Sequence, residues 1–278
     1  MNANEEMIMS SALHPEDNSL TTAYGAVSRC GVRRTGNQDS YLTDESLRMF
    51  VVADGVAGCA GGEIASALAC GQILDTFENE LSKIQQEDDR EAAINAAVSQ
   101  AFRSADRRIV CERTMEPFLS DMATTALLAY VDSYADSAAP DLGEGRLYVG
   151  NAGDCRALLV RMGEATQLTH EHTIAAGLEE AGLLDHEQAL HHPGRSILYI
   201  NLGGSLYDGP QLNSCGIQQG DRIVLMTDGL TDVLSNDDVA SIVAATPDAE
   251  AVANRLADMA IQKGAGDDVT CVVVDIQK

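Results

Sequence analysis

Two apolar runs in this chain end on the same dipeptide. Phe50-Val51-Val52-Ala53 leads into Asp54-Gly55, and Ile223-Val224-Leu225-Met226-Thr227 leads into Asp228-Gly229. A third acidic pair, Asp267-Asp268, opens the run from Val269 to Ile276. Short apolar runs of this kind read as buried strands, so each delivers a carboxylate at a strand end. An Asp-Gly pair taken alone also simply closes a strand in a tight turn. Several such ends that converge are different, because neighbouring carboxylates repel unless a hard cation lies between them. Asp39 is a further acid upstream. Ligands that are all oxygen, with no His or Cys cluster, select Mg²⁺ or Mn²⁺ over Zn²⁺. Two such ions sharing a carboxylate can hold a hydroxide between them and clamp a phosphoryl group. Arg34 is the candidate phosphate clamp, since a guanidinium grips two phosphate oxygens at once. Next to Arg33, and taken alone, it reads as a surface arginine.

The elements that position these residues follow from periodicity. Strands are expected at Tyr24 to Cys30 and Leu47 to Asp54, with a polar loop from Arg33 to Asp39 leading into Ser40-Tyr41-Leu42. Ile64, Leu68, Gly71, Leu74, Phe77, Leu81 and Ile84 recur at helical spacing. A second helix is expected from Asp88 to Glu112. Further strands are expected at Thr124 to Val131, Arg146 to Ala152, Arg156 to Arg161, near Ile197 and Leu212, at Arg222 to Thr227, and at Val269 to Ile276. Residues 172–192 read as a polar, His-containing helical insert. Thr246-Pro247 reads as a helix start, with Thr as N-cap and Pro in the first position. Helices arrive in pairs between groups of strands, which favours a mixed or antiparallel sheet under helical layers over a doubly wound parallel fold. A flexible arm is expected over residues 1–20 and one domain over 21–278.

Composition narrows the function classes. At 278 residues the chain can bury one large core. Its net charge of −25 argues against binding a nucleic-acid backbone, which needs Lys and Arg. With no Trp and few aromatics, base-stacking platforms are also disfavoured. Seven Cys, none in a C-x-x-C pair, argue against a disulfide scaffold or structural zinc and for reduced thiols in the cytoplasm. There is no 18-residue apolar stretch, hence no expected membrane span, and the N-terminus does not read as a signal peptide.

The order of motifs then becomes informative. Arg34-x-x-Asn37-Gln38-Asp39, followed by Asp54-Gly55-Val56-Ala57-Gly58-Cys59-Ala60-Gly61-Gly62-Glu63, resembles the opening of the metal-dependent protein Ser/Thr phosphatases, the protein phosphatase 2C (PP2C, PPM) family. Met122-Ala123-Thr124-Thr125 resembles that family's Gly-Thr-Thr segment, and Gly153-Asp154-Cys155-Arg156 its Gly-Asp-Ser-Arg hairpin. Leu168-Thr169-His170-Glu171-His172-Thr173, Ala181-Gly182-Leu183-Leu184, His192-Pro193-Gly194-Arg195-Ser196, Thr227-Asp228-Gly229 and Gly266-Asp267-Asp268 follow in the family's order. Each motif is weak alone; their order over residues 22–276 carries the resemblance.

The resemblance implies a compact bacterial-type member with an α+β fold, a four-layer αββα sandwich of two mostly antiparallel sheets flanked by helix pairs. It implies that Asp54 bridges two Mg²⁺ or Mn²⁺ ions and that Asp228 and Asp267 complete one shell. Asp39 and the Gly55 carbonyl serve the other ion, and Asp121 is a candidate ligand for a third. Arg34 would hold the substrate phosphate. The implied reaction is hydrolysis of phosphoserine and phosphothreonine by direct attack of a hydroxide bridging the two ions. Asp154, Arg156 and His172 read as structural, and 172–192 as a flap beside the site. Its His186, His191 and His192 read as solvated loop residues rather than metal ligands. Implied partners are phosphorylated proteins and a Ser/Thr kinase in trans, with no nucleic acid or membrane, for a cytoplasmic monomer.

Some residues depart from the family's pattern. Ala57, Cys59, Ala123 and Tyr199-Ile200 replace common residues, and Asp268 stands where an Asn is usual. Val56 occupies the place where some members present a His, leaving protonation of the leaving group to water or a metal-bound water. Ala123 would be strained if its backbone needed a positive φ. Asp268 adds negative charge that would tighten cation binding. The alternative reading is a catalytically weak relative that binds phosphoproteins or a kinase as a regulator.

Overall fold

The computed structural model describes residues 20–56, 60–85, 89–133, 144–204 and 207–278. Ten strands form two five-stranded sheets. The first holds β2 (Ser40–Asp44), β3 (Met49–Ala53), β4 (Ala126–Asp132), β5 (Gly145–Ala152) and β8 (Gln211–Ile217), in that spatial order. The second runs β1 (Thr21–Arg29), β10 (Val269–Gln277), β9 (Arg222–Met226), β6 (Arg156–Arg161) and β7 (Glu164–Gln167). All pairings within the sheets are antiparallel.

Alternation along the strands builds the layers. Met49, Val51 and Ala53 face a core shared with α1 (Gly62–Leu81) and α2 (Arg90–Met115). Phe50 and Val52, one residue out of phase, face the other sheet. In the second sheet Val224 and Met226 pack on α6 (Asn236–Ala244) and α7 (Ala249–Gln262), while Ile223 and Leu225 join the inter-sheet core. Strands covered on both faces need apolar residues at every position, which is why β3 and β9 read as unbroken apolar runs. The result is the expected αββα sandwich. Most of the arm expected over 1–20 lies outside the described residues; Leu20 itself is fully buried between the sheets.

Local expectations are corrected or refined in four places. No strand forms near Ile197; only a single bridge joins Leu198 to Thr173. The helix expected from Thr246 begins at Ala249, and its N-cap is Asp248, whose side chain accepts from the Ala251 N–H at 2.8 Å. The Thr246 hydroxyl is already committed, donating to the Ile242 carbonyl at the end of α6. The 172–192 insert is two short helices, α3 (Ile174–Glu180) and α4 (His186–Leu190), capped by Thr173 and Asp185. Finally, α5 (Asp228–Thr231), α6 and β7 were not anticipated. Strand β7 closes a hairpin over Met162 and Gly163, both at positive φ, the twist two-residue hairpins prefer.

Candidate metal centre

Strand register brings the acids to one end of the sandwich. Ser40 pairs with Ala53, so Asp39 before β2 and Asp54 after β3 are neighbours. Met226 pairs with both Cys271 and Arg156, so Asp228, Asp267 and the Gly153-Asp154 turn meet at the same end of the other sheet. Asp54 lies centrally: its carboxyl interacts with those of Asp228, Asp39, Asp154 and Asp267. It meets Asp39 and Asp228 carboxyl to carboxyl.

The Asp54-Gly55 backbone is held on all sides. The Asp54 carbonyl accepts from the Thr125 N–H at 2.8 Å and the Thr124 hydroxyl at 2.7 Å, and the Asp54 N–H donates to Thr125 Oγ1. Gly55 donates to the Gln38 carbonyl. A Cβ on Gly55 would stand 2.5 Å from the Gly62 carbonyl carbon and oxygen, so only glycine fits. The Val56 N–H donates to the Ala123 carbonyl. Among the described non-glycine residues only Arg48 and Met162 have positive φ, so Ala123 carries no strain of the kind considered above. Ile200 packs against the α1–α2 core. Ala57 and Cys59 lie outside the described residues.

The electrostatics are those of crowded acids. Burial, then Asp228 and Asp39, hold Asp54 well above the usual carboxylate range. Burial and then Asp154 do the same for Asp228. Burial raises Asp39 to about 6, against hydrogen bonds from Thr270 and Thr227 that oppose the shift. Asp154 is pushed up to about 7 by burial and then Glu171. Oδ1 of Asp39, Asp154 and Asp228 is buried without a hydrogen-bond partner. Buried carboxylate oxygens left bare are costly, and a cation is the partner that suits them.

The donor set fits hard divalent ions. Among the described residues, no three His, Cys, Asp or Glu side chains form a group that closes on one point. A Zn²⁺ cage needs such closure, whereas Mg²⁺ keeps several waters and takes one or two carboxylates. Asp39, Asp54, Asp228 and Asp267, with Gly55 beside them, lie at the same end of the sandwich. Asp121 is not in the cluster; it is exposed and makes no hydrogen bond or ion pair among the described residues. Arg34 is at the cluster but already engaged: its guanidinium pairs with Asp267, and this bond first of all raises the Arg34 pKa.

Several residues matter here that the sequence reading placed elsewhere or left out. Asp154 accepts from its own backbone N–H, as a turn acid does, yet also joins the acidic cluster. Thr227 donates to Asp39 Oδ2 at 2.8 Å and accepts from the Thr270 N–H. Gly229 is not merely a turn residue, since a Cβ there would stand 2.0 Å from the Asp268 carbonyl oxygen. Asp268 spends both oxygens on backbone N–H groups. His172 is structural as expected: its Nδ1 accepts from the Gly153 N–H at 3.0 Å, and burial lowers its pKa. His186 and His191 are exposed and pair with Glu179 and Glu187, whereas His192 accepts from the Gly194 N–H.

Comparison with known proteins identifies the family. The family model for protein phosphatase 2C matches residues 29–263. The serine/threonine protein phosphatase PstP of Mycobacterium tuberculosis is 33% identical over 258 residues, 93% of this chain and 46% of that protein. The chain thus spans about half the length of that relative. A putative 2C-type protein phosphatase of Streptococcus pyogenes is 27% identical over 88% of this chain and 93% of its own. The crystal structure of the PstP catalytic domain in complex with two manganese ions superposes with a TM-score of 0.73, at 30% identity, covering 94% of this chain and all of that one.

Proposed function

The chain belongs to the protein phosphatase 2C family, and from that premise we propose that it is an Mg²⁺- or Mn²⁺-dependent protein Ser/Thr phosphatase. The observation that carries this reading is the convergence of four carboxylates on that of Asp54, three of them with a bare buried oxygen. Asp54 would be shared between two ions, Asp228 and Asp267 would serve one, and Asp39 with the Gly55 carbonyl the other. Asp154 offers its free Oδ1 beside Asp228. Asp121, on the segment tied to Val56 through Ala123, is assigned a third, weaker ion in this reading.

When bound, such ions supply a nucleophile at neutral pH and neutralise phosphoryl charge. The chain's own residues do the rest. Arg34, paired with Asp267 in this structure, would hold two phosphate oxygens of the substrate, and Asp267 would serve a cation. Thr227 and Thr270 orient Asp39, and Thr124 and Thr125 fix the Asp54 backbone. The α3–α4 segment would act as a flap; just past it, Arg195 donates two hydrogen bonds to Asp232, the residue that follows α5. Substrates are phosphoserine and phosphothreonine in proteins, with a Ser/Thr kinase acting in trans, and the enzyme works as a cytoplasmic monomer. Among the described residues no helix is long and apolar enough to cross a membrane.

The test is hydrolysis of an aryl phosphate and a phosphothreonine peptide with and without Mn²⁺. Turnover that needs the metal and vanishes in Asp54→Ala and Asp228→Ala supports the reading. Retained phosphopeptide binding without turnover would favour the regulator instead.

A further inference from the structure

The segment between β1 and β2 carries Arg34 and ends at Asp39, and it contains turns but neither helix nor strand. One buried side chain ties both of its ends. Asp268, 2% exposed, accepts the Gly31 N–H on Oδ1 and the Gln38 N–H on Oδ2, each at 2.8 Å. The two donors bracket Arg34, and Gln38 directly precedes Asp39. The loop lies hard against the same dipeptide: a Cβ on Gly31 would stand 2.2 Å from the Asp267 carbonyl oxygen. Inside the bracket, the Arg34 N–H donates to the Gly31 carbonyl at 3.0 Å, and the guanidinium reaches Asp267. Asn37 links the far end, accepting from the Asp39 N–H and donating to Ser28 Oγ.

We infer that Asp268 is a positioning residue, which uses its two carboxylate oxygens to set Arg34 and Asp39 against the acidic cluster. The inference rests on the phosphatase reading for what Arg34 binds, and it reverses the expectation that Asp268 acts by adding charge beside a metal. An Asn at this position has a single acceptor oxygen, and its NH₂ would face one of the two backbone donors. A carboxylate satisfies both donors at once, so this chain ties its loop at two points through one side chain.

Charge and position make opposite forecasts for Asp268→Asn. Removing a negative charge near Arg34 would, by charge alone, strengthen phosphate binding. Losing an acceptor leaves a buried N–H unpaired and frees one end of the loop, which weakens it. The experiment is calorimetric titration of inorganic phosphate into the Mn²⁺-loaded full chain for wild type, Asp268→Asn, Arg34→Ala and the double variant. The expected result is a phosphate Kd about tenfold higher in Asp268→Asn, in line with one unpaired buried N–H. The double variant should be no weaker than Arg34→Ala alone, because the two act as one unit. Hydrogen exchange at the Gly31 and Gln38 amides should quicken in Asp268→Asn. Should that variant fail to melt cooperatively, Asp268→Ser takes its place. Unchanged or tighter phosphate binding in a folded variant, or full additivity with Arg34→Ala, overturns the positioning role. Aryl phosphate turnover is followed in parallel. Its absence in the wild type, with phosphate affinity still falling in Asp268→Asn, overturns the phosphatase reading and leaves the positioning role supported.

Discussion

Asp54 and Asp228 look alike in the sequence, each closing an apolar run before a glycine, yet their surroundings separate them. Asp54 sits between the other acids, and its glycine is locked by backbone on two sides. Gly55→Ala would drive a Cβ into the Gly62 carbonyl and the Gln38 oxygen at 2.5 and 2.7 Å. Neither is a side chain that can swing aside. We expect a loss of about 1–3 kcal/mol in urea unfolding and a higher Mn²⁺ half-saturation for turnover. Thr227→Val is the matched probe for Asp39. It keeps the shape, removes the donor to Asp39 Oδ2 and leaves the Thr270 N–H without its acceptor. The expected cost is about 1–3 kcal/mol, with the Mn²⁺ half-saturation again raised while the phosphate Kd of the Mn²⁺-saturated protein moves little. A Thr227→Val protein with unchanged Mn²⁺ dependence would remove Asp39 from the ligand set.

At the scale of the element, the helix caps show where reading residues in isolation goes astray. Thr246-Pro247 has the right types for a helix start, but the Thr246 hydroxyl closes α6 and Asp248 caps α7. Asp248→Ala is expected to cost about 1 kcal/mol by urea unfolding. The flap separates its histidines in the same way. His186→Gln and His191→Gln remove exposed pairs with Glu179 and Glu187 and should shift stability by less than about 0.5 kcal/mol, with metal-dependent turnover intact. His192→Ala should be the more costly change, because its ring accepts the Gly194 N–H that shapes the turn before Arg195. The strands and paired helices were legible because burial on one or both faces imposes a period. Helices α5 and α6 were not, since α5 is a single turn and the α6 start is set by the Ser235 capping box rather than by a long apolar stripe.

Across the whole molecule the acidic end of the sandwich couples folding to pH and to metal. Burial pushes the carboxyls of Asp39 and Asp154 up to about 6 and about 7, from an ordinary 3.8. A raised carboxyl pKa means the folded state keeps protons that the unfolded chain has lost. Its stabilisation is therefore complete below about pH 3.8 and disappears as pH rises through 6 and 7. Bound cations require the ionised forms, so their stabilisation grows over the same window. The gap in Tm between Mn²⁺-saturated and EDTA-treated protein should widen from pH 5 to pH 8. A gap independent of pH would mean that these carboxylates do not bind the metal.

Read along the chain alone, residue types and their spacing disclose strands alternating with paired helices, the family resemblance and the candidate acids Asp39, Asp54, Asp228 and Asp267. These are properties of residue type and spacing, which a linear chain displays directly. Which groups share a space emerges only once the chain is folded. Folding drew Asp154 from its turn into the cluster, paired Arg34 with Asp267 and turned both oxygens of Asp268 onto the Arg34 loop. Those pairings join residues up to 237 positions apart. The strand register of two sheets sets them, and no local pattern of side chains encodes that register on its own.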